Sequence, residues 1–205
     1  MVILEERMAD EFQQMIQSFG FFKPTHAVLS SEATGDIQNG TKIDRAMNAY
    51  GQALSVTPVQ MFQALTAIGN DGKMSAPHFI KAIEDGEKSE LIEPKIIANP
   101  VSKATANKVL NYMEAVVEHE NGTGTMFAVD GIKIAAKTGT AEYIEDGKYA
   151  KNKYIHSVVE IFPSDNPEYA LYMTLKNPKL EGKSGSEILA EVTNRIVKDT
   201  VANDF

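Results

Sequence analysis

The spacing of hydrophobic positions changes along the chain, from helical spacing before residue 130 to alternation after it. In residues 5–19 the apolar side chains recur every three or four positions, and Gly20 follows as a stop signal. Residues 20–54 show no sustained period and are rich in Gly, Ser, Thr and Asn, which predicts a long irregular segment. The predicted inward positions of the first helix are Met8, Phe12, Met15, Ile16 and Phe19.

Two further helices are predicted in this first part of the chain. The segment SVTPVQMFQALTAIG, 55–69, offers Thr57 as a cap and Pro58 at the first helical position. A run at 102–120 has the same helical period, and residues 78–85 predict a short strand. The predicted inward positions of the two helices are Met61, Phe62, Leu65, Ile68, Val109, Leu110, Met113, Val116 and Val117.

From residue 131 the period of two predicts a strand, followed by strands at 154–162 and 168–176 that a turn at 163–167 joins. A closing helix is predicted after the capping box Ser184-x-x-Glu187. One face of the first strand carries Ile132, Ile134, Ala136 and Thr138, and the other carries Lys133, Ala135, Lys137 and Gly139. The later inward positions are Tyr169, Leu171, Met173, Leu175, Ile188, Leu189, Val192 and Ile196.

These patterns predict an α+β fold in which helices are followed by a three-stranded antiparallel meander and a C-terminal helix. The chain divides into a mainly helical part, 1–130, and a β-β-β-α part, 131–205, which together form one domain rather than two independent ones. No internal repeat or low-complexity linker interrupts either part. The division therefore describes two portions of a single architecture.

Composition excludes several classes of function. The formal net charge is −8 and no basic stripe is present, so a nucleic-acid partner is not expected. The chain has no cysteine, its four histidines lack ligand spacing, and neither a metal nor a cofactor is expected. No apolar run is long enough to span a membrane, and the acidic N-terminus lacks a signal-peptide layout. As given, the chain is expected to be soluble, without an anchor or an export signal.

The first strand of the meander carries the sequence Lys137-Thr138-Gly139-Thr140, the strongest chemical signal in the chain. A Lys-Thr-Gly strand beside a reacting carbonyl offers a fixed ammonium, a hydroxyl for a carboxylate and a backbone N–H for an oxyanion. Its glycine lets an acyl group pass close to the backbone. A tripeptide alone is weak evidence, so its surroundings decide the interpretation.

Three long segments resemble the class B penicillin-binding proteins, the D,D-transpeptidases that cross-link peptidoglycan. They are GQALSVTPVQMFQALTAIGNDGKMSAPHFI, NGTGTMFAVDGIKIAAKTGTAEY and YIHSVVEIFPSDNPEYALYMTLKNP, in the family's order. The resemblance covers essentially all of 1–205 and is closest to the division-type enzymes of Gram-positive bacteria. It implies the C-terminal portion of the transpeptidase fold, which serine β-lactamases share.

The resemblance also implies roles for individual residues. Lys137 would be the catalytic positioning and electrostatic group. Thr138 would bind, through its hydroxyl, the carboxylate of the terminal D-alanine or of a β-lactam. Gly139 would allow close approach, and Thr140 would supply an oxyanion-hole N–H and a second hydroxyl. Two positions depart from the family pattern, because Ala136 and Ala53 stand where glycine is frequent.

The family's nucleophile motif, Ser-x-x-Lys, is absent, because no serine of this chain has a lysine three residues later. The letters Ser164-Asp165-Asn166 match the family's second motif but follow the Lys-Thr-Gly strand instead of preceding it. They are interpreted as turn residues. The chain is therefore expected to be the C-terminal part of the domain, cut between the second and third motifs and inactive alone.

Several expectations follow from the resemblance. The complete protein would bind peptidoglycan stem peptides and β-lactams, and would be anchored in the cytoplasmic membrane with its catalytic domain outside. The missing N-terminal part of the same domain would pair with the meander, and without it the open edge would favour self-association. The alternative is a naturally truncated, non-catalytic binding module of the same fold. A weaker alternative, a β-lactamase or β-lactam sensor, fits the SVTP helix less well.

Overall fold

The computed structural model describes residues 2–27, 31–145, 148–179 and 182–203. They form two compact units, one up to Ala106 and one from Asn107 onward. The helices are α1 (Val2–Ser18), α2 (Lys42–Asn48), α3 (Pro58–Gly69), α4 (Lys103–Glu118) and α5 (Gly185–Asn203). The strands are β1 (Asp36–Ile37), β2 (Leu54–Ser55), β3 (Met74–Ser75), β4 (Ala82–Asp85), β5 (Lys88–Leu91), β6 (Ile96–Ala98), β7 (Ala135–Glu145), β8 (Lys148–Phe162) and β9 (Tyr169–Lys176).

The first unit combines helices with three antiparallel strand pairs, β1 with β2, β3 with β6, and β4 with β5. The prediction of an irregular segment at 20–54 is wrong in part, because β1, α2 and the start of β2 lie in it. A reciprocal capping box starts α2, with Thr41 N–H donating to Asp44 Oδ2 at 2.9 Å and Asp44 N–H donating to Thr41 Oγ1 at 3.1 Å. The strand expected at 78–85 begins only at Ala82.

The predicted start of α3 is confirmed. Thr57 N–H donates to Gln60 Oε1 at 3.1 Å and Gln60 N–H donates to Thr57 Oγ1 at 3.2 Å, while Pro58 occupies the first turn. Gln60 is fully buried because its Nε2 also donates to the carbonyls of Lys23 and Thr34, at 2.8 and 3.0 Å. A polar side chain with all these hydrogen-bond partners can therefore lie on the buried side of the helix.

The predicted inward faces of the first two long helices need correction. On α3 Leu65 is buried as expected, but Met61, Phe62 and Ile68 are only half-buried. On α1 Met15 is 46% exposed, because this helix packs mainly against the short α2, which covers only part of an apolar stripe. The other buried side chains of α3 are those of Gln60, Gln63, Ala64 and Ala67.

One turn of the first unit holds a residue in the left-handed backbone region. Ala53 has a φ of 57°, and its carbonyl accepts a hydrogen bond from Gln38 N–H at 2.9 Å. Ala53 is one of the two positions where the resembled family frequently has glycine. An alanine here carries backbone strain that glycine would not.

The predicted meander is confirmed as the antiparallel sheet β7-β8-β9 of the second unit. Strand β7 begins at Ala135, later than expected, because Ile132 is already paired in an isolated bridge with Val129. Helix α5 packs on β8 and β9, and the core lies between this helix and the sheet. The core residues are Val117, Phe127, Val129, Ile134, Ala136, Val158, Phe162, Leu189, Ala190 and Val197.

The predicted capping box of α5 is confirmed, with Ser184 N–H donating to Glu187 Oε2 at 2.6 Å and Glu187 N–H donating to Ser184 Oγ at 3.2 Å. The inward position predicted at Val192 is wrong, because this side chain is 45% exposed and Thr193 is buried instead. On α4 Leu110, Met113 and Val117 are buried as predicted, whereas Val109 and Val116 are only half-buried. Among the residues described, no helix is both long enough and apolar enough to cross a membrane.

Candidate active site

Strand β7 has an open edge, since β8 is the one strand of the described residues that pairs with it. The Tyr154 carbonyl accepts from Asn177 N–H at 2.7 Å, so the even-numbered residues of β8 direct their backbone groups towards β9. The odd-numbered residues of β8 then face β7, where the register pairs Ser157 with Gly139 and Val159 with Lys137. The even-numbered residues of β7, which include Thr138 and Thr140, therefore direct their backbone N–H and carbonyl groups away from β8, to the open edge.

The position of the Lys137 ammonium agrees with this orientation. Lys137 is exposed, and its Nζ donates to the Thr138 carbonyl at 2.6 Å. That carbonyl belongs to an even-numbered residue and points away from β8. The Thr140 N–H, two residues further along, points to the same edge. The open edge thus presents a cation and a backbone N–H close together, the pair of groups that stabilises a developing oxyanion.

The four residues of the motif lie on both faces of the sheet. Lys137 and Gly139 lie on the face away from α5, and Thr138 and Thr140 lie on the face that α5 covers. Thr138 is half-buried opposite Val158, and Thr140 is exposed. Thr140 is the more accessible of the two.

Packing against β8 explains why residue 139 is a glycine. A Cβ at this position would lie 2.6 Å from the hydroxyl oxygen of Ser157, its partner on β8. Such a contact would displace the Ser157 side chain from this face of the sheet. The glycine therefore leaves the surface beside Lys137 without a side chain.

The structure adds His156, one of the four histidines that show no metal-ligand spacing in the sequence. It pairs across the strands with Thr140, and its Nδ1 lies 3.4 Å from Thr140 Oγ1. The pair does not exchange backbone hydrogen bonds, so its side chains stand close together. Only the strand register, which places His156 opposite Thr140, reveals this pair. The register cannot be known before the strands are aligned.

The structure also places a buried carboxyl next to the motif. Glu160 pairs with Ala136 on the α5 face, is 0% exposed, and burial raises its pKa from 4.5 to about 7. The Thr193 hydroxyl of α5 faces it and favours the charged form, although the two groups do not reach hydrogen-bond geometry. The signal in the sequence was a glutamate within the otherwise apolar run VVEIF.

The residues Ser164-Asp165-Asn166 lie in the predicted turn between β8 and β9. The buried Ser164 hydroxyl donates to Glu114 Oε2 of α4 at 2.6 Å, and Asn166 Nδ2 donates to Glu168 at 2.7 Å. Asp165 lies 3.8 Å from the Lys133 ammonium. All three residues lie in a turn, as the sequence indicated, and the side chains of Ser164 and Asp165 connect this turn to α4 and to Lys133. In the described part of the chain, no three His, Asp or Glu side chains cluster in a way that could hold a metal.

Comparison with known proteins identifies relatives of the whole chain. The family described as "Penicillin binding protein transpeptidase domain" matches residues 1–198. Stage V sporulation protein D of Bacillus subtilis is 32% identical over 207 residues, which cover 98% of this chain and 32% of that protein. Penicillin-binding protein PbpB of Mycobacterium tuberculosis is 34% identical over 190 residues, covering 86% of this chain and 28% of that protein. This chain spans about a third of these relatives.

Solved structures give the same result. The crystal structure of penicillin binding protein 2X from Streptococcus thermophilus superimposes with a TM-score of 0.85 and 30% identity, covering 95% of this chain and 30% of that one. Penicillin binding protein 3 from Mycobacterium tuberculosis, in complex with ampicillin, gives a TM-score of 0.82 and 28% identity. That superposition covers 93% of this chain and 46% of the other. The α+β fold described above is thus the fold of these domains.

Proposed function

Because this chain belongs to the penicillin binding protein transpeptidase domain family, we propose that it is part of a serine-type D,D-transpeptidase that cross-links peptidoglycan. The substrate is a stem peptide ending in D-Ala-D-Ala. A serine oxygen attacks the penultimate D-alanine carbonyl, the terminal D-alanine leaves, and an amine of a second stem takes the acyl group. A β-lactam acylates the same serine. The assignment to the division-type enzymes of Gram-positive bacteria stays a prediction.

One observation carries this proposal: the open edge of β7 presents the Lys137 ammonium and the Thr140 N–H together. The ammonium attracts the substrate carboxylate and stabilises negative charge near the reacting carbonyl. The Thr140 N–H donates to the oxyanion, and the hydroxyls of Thr138 and Thr140 bind the carboxylate. Gly139 leaves the surface beside the lysine without a Cβ, so the acyl chain can lie along the strand.

We propose that the 205-residue chain by itself does not catalyse the reaction. None of its serines has a lysine three residues later, and acyl transfer by this family needs a serine with a base beside it. The missing nucleophile would come from another segment of the complete protein, meaning the whole product of the reading frame that contains these residues. The same segment would complete the substrate site around the open edge of β7.

The remaining partners and the location are part of this proposal. Among the described residues, strand β9 pairs only with β8, so its outer edge can accept a further strand. We propose that the rest of the domain supplies that strand in the complete protein. The complete protein would be anchored in the cytoplasmic membrane, with this domain outside it, where stem peptides and β-lactams are met.

The test is covalent labelling with a fluorescent penicillin, followed by intact mass. The complete protein should form one stoichiometric adduct that hydroxylamine removes, and the 205-residue chain should form none. In the complete protein, Lys137→Ala should slow labelling strongly, while Lys198→Ala, an exposed lysine on α5, should not. A serine adduct on the isolated chain would refute its inactivity. An unlabelled complete protein that is folded would refute the enzymatic function.

A further inference from the structure

The contact between Thr140 and His156 links the open edge of β7 to helix α5. The Thr140 hydroxyl oxygen lies 3.4 Å from His156 Nδ1, slightly beyond the usual range of N–H···O hydrogen bonds. Hydrogen bonds of active sites are frequently long without ligand and shorten when the ligand binds. Tyr154 lies next to the imidazole on the same face, with ring centroids 6.2 Å apart. The imidazole is therefore held between a neighbouring ring and the threonine.

Helix α5 fixes the imidazole from the other side. A Cβ on Gly185 would lie 2.2 Å from Cγ, 2.4 Å from Cδ2 and 2.5 Å from Nδ1 of His156, so the ring rests directly on the glycine backbone. Gly185 is the first residue of α5, and the Ser184–Glu187 capping box holds this helix start in place. The absence of a side chain at Gly185 is thus what gives the imidazole its position.

We infer that His156 is a positioning residue for the hydroxyl of Thr140. Its Nδ1–H donates to Thr140 Oγ1, which leaves the hydroxyl proton of Thr140 directed to the open edge of β7. A hydroxyl has one proton and must donate it to a carboxylate in order to bind it. If the hydroxyl instead donated to His156, its lone pairs would face the carboxylate and repel it. The inference rests on the proposed function, because it assigns how the carboxylate-binding hydroxyl is oriented.

A matched pair of substitutions isolates this hydrogen bond. Asparagine and leucine side chains have nearly the same shape, so His156→Asn and His156→Leu lose the same packing on Gly185. Only the asparagine keeps a donor where Nδ1 stood. In the complete protein, the second-order rate constant for penicillin acylation should fall about tenfold in His156→Leu, the effect of one lost hydrogen bond. His156→Asn should restore most of that rate.

A double-mutant cycle with Thr140→Val shows whether His156 acts through the hydroxyl. In the Thr140→Val background, His156→Leu and His156→Asn should be acylated equally fast. An equal difference in both backgrounds would overturn the inference, because His156 would then act without Thr140. Equal rates for both histidine variants in the unmodified background would overturn it as well.

A spectroscopic measurement tests the contact without using activity. In the complete protein labelled with ¹⁵N-histidine, the shifts of the two ring nitrogens report the tautomer, and His156→Asn identifies the His156 signals. We expect the proton on Nδ1, and a shift of this signal in Thr140→Val. A proton on Nε2 alone would overturn the inference even in an active protein. Failure of the proposed function would differ, since all variants would then lack acylation whatever the tautomer.

Discussion

Replacing the buried carboxyl of Glu160 should make the domain less sensitive to pH. Both carboxyl oxygens lie in the interior without a hydrogen-bond partner among the described residues, and so does Thr193 Oγ1. A charged carboxylate loses its hydration there and gains little in return. Glu160→Gln keeps the shape of the side chain and removes the charge. The cost of holding this charge inside the protein is therefore the quantity under test.

The pKa of Glu160 in the folded state is about 7, against 4.5 for an unburied glutamate, and desolvation by burial is the main cause. A raised folded pKa means that the native state binds the proton more tightly than the unfolded state. The stability it contributes is complete below about pH 4.5 and is lost as the pH rises through 7. The difference between these two pKa values corresponds to about 3 kcal/mol.

The assay is urea unfolding of the 205-residue chain, followed by far-UV circular dichroism because the chain has no tryptophan. Between about pH 5 and about pH 8, the free energy of unfolding should fall by roughly 2 to 3 kcal/mol more in the wild type than in Glu160→Gln. Glu142→Gln, an exposed glutamate on β7, removes the same charge without burial and should keep the wild-type pH dependence. The same pH dependence in Glu160→Gln and the wild type would refute the reasoning.

Three further predictions concern packing, backbone strain and association. Gly185→Ala should lower the melting temperature and shift the His156 ring signals, because its Cβ would lie 2.2 Å from the imidazole; an unchanged spectrum would contradict this contact. Ala53→Gly should raise the free energy of unfolding by about 1 kcal/mol, since glycine tolerates the φ of 57°, and a loss of stability would argue against strain there. The isolated chain should self-associate through the outer edge of β9, and a clean monomer in light scattering at high concentration would contradict this.

The sequence predicted best those features that depend on neighbouring residues. The capping boxes at Thr57 and Ser184 begin helices where they were expected, because the partners lie three residues away. The missed helix α2 has a capping box too, but among its seven residues only Asn48 is buried. Without an apolar stripe, the hydrophobic period could not reveal it. Val192 was misplaced because a polar residue, Thr193, takes the buried position beside it.

The parts of the site that could not be predicted depend on register. Lys137 and Thr140 follow from their motif, but the sequence does not indicate His156, and it does not show that the glutamate of the run VVEIF lies beside the motif. These two residues become neighbours of the motif only when β8 pairs with β7 in one register, with His156 opposite Thr140. A shift by one residue would turn both side chains to the other face. The pairing is long-range information, which a local pattern does not contain.

The register also explains why α5 matters for the site. His156 and Glu160 are four residues apart on β8, which is about 13 Å along a strand. Their neighbours on α5, Gly185 and Thr193, are eight residues apart, which is about 12 Å along a helix. The two spacings match, so α5 can hold both contacts only in one position along β8. A displacement of α5 that broke the glycine–imidazole contact would also move Thr193 away from the buried carboxyl, and the stability of the core and the orientation of the Thr140 hydroxyl should therefore change together.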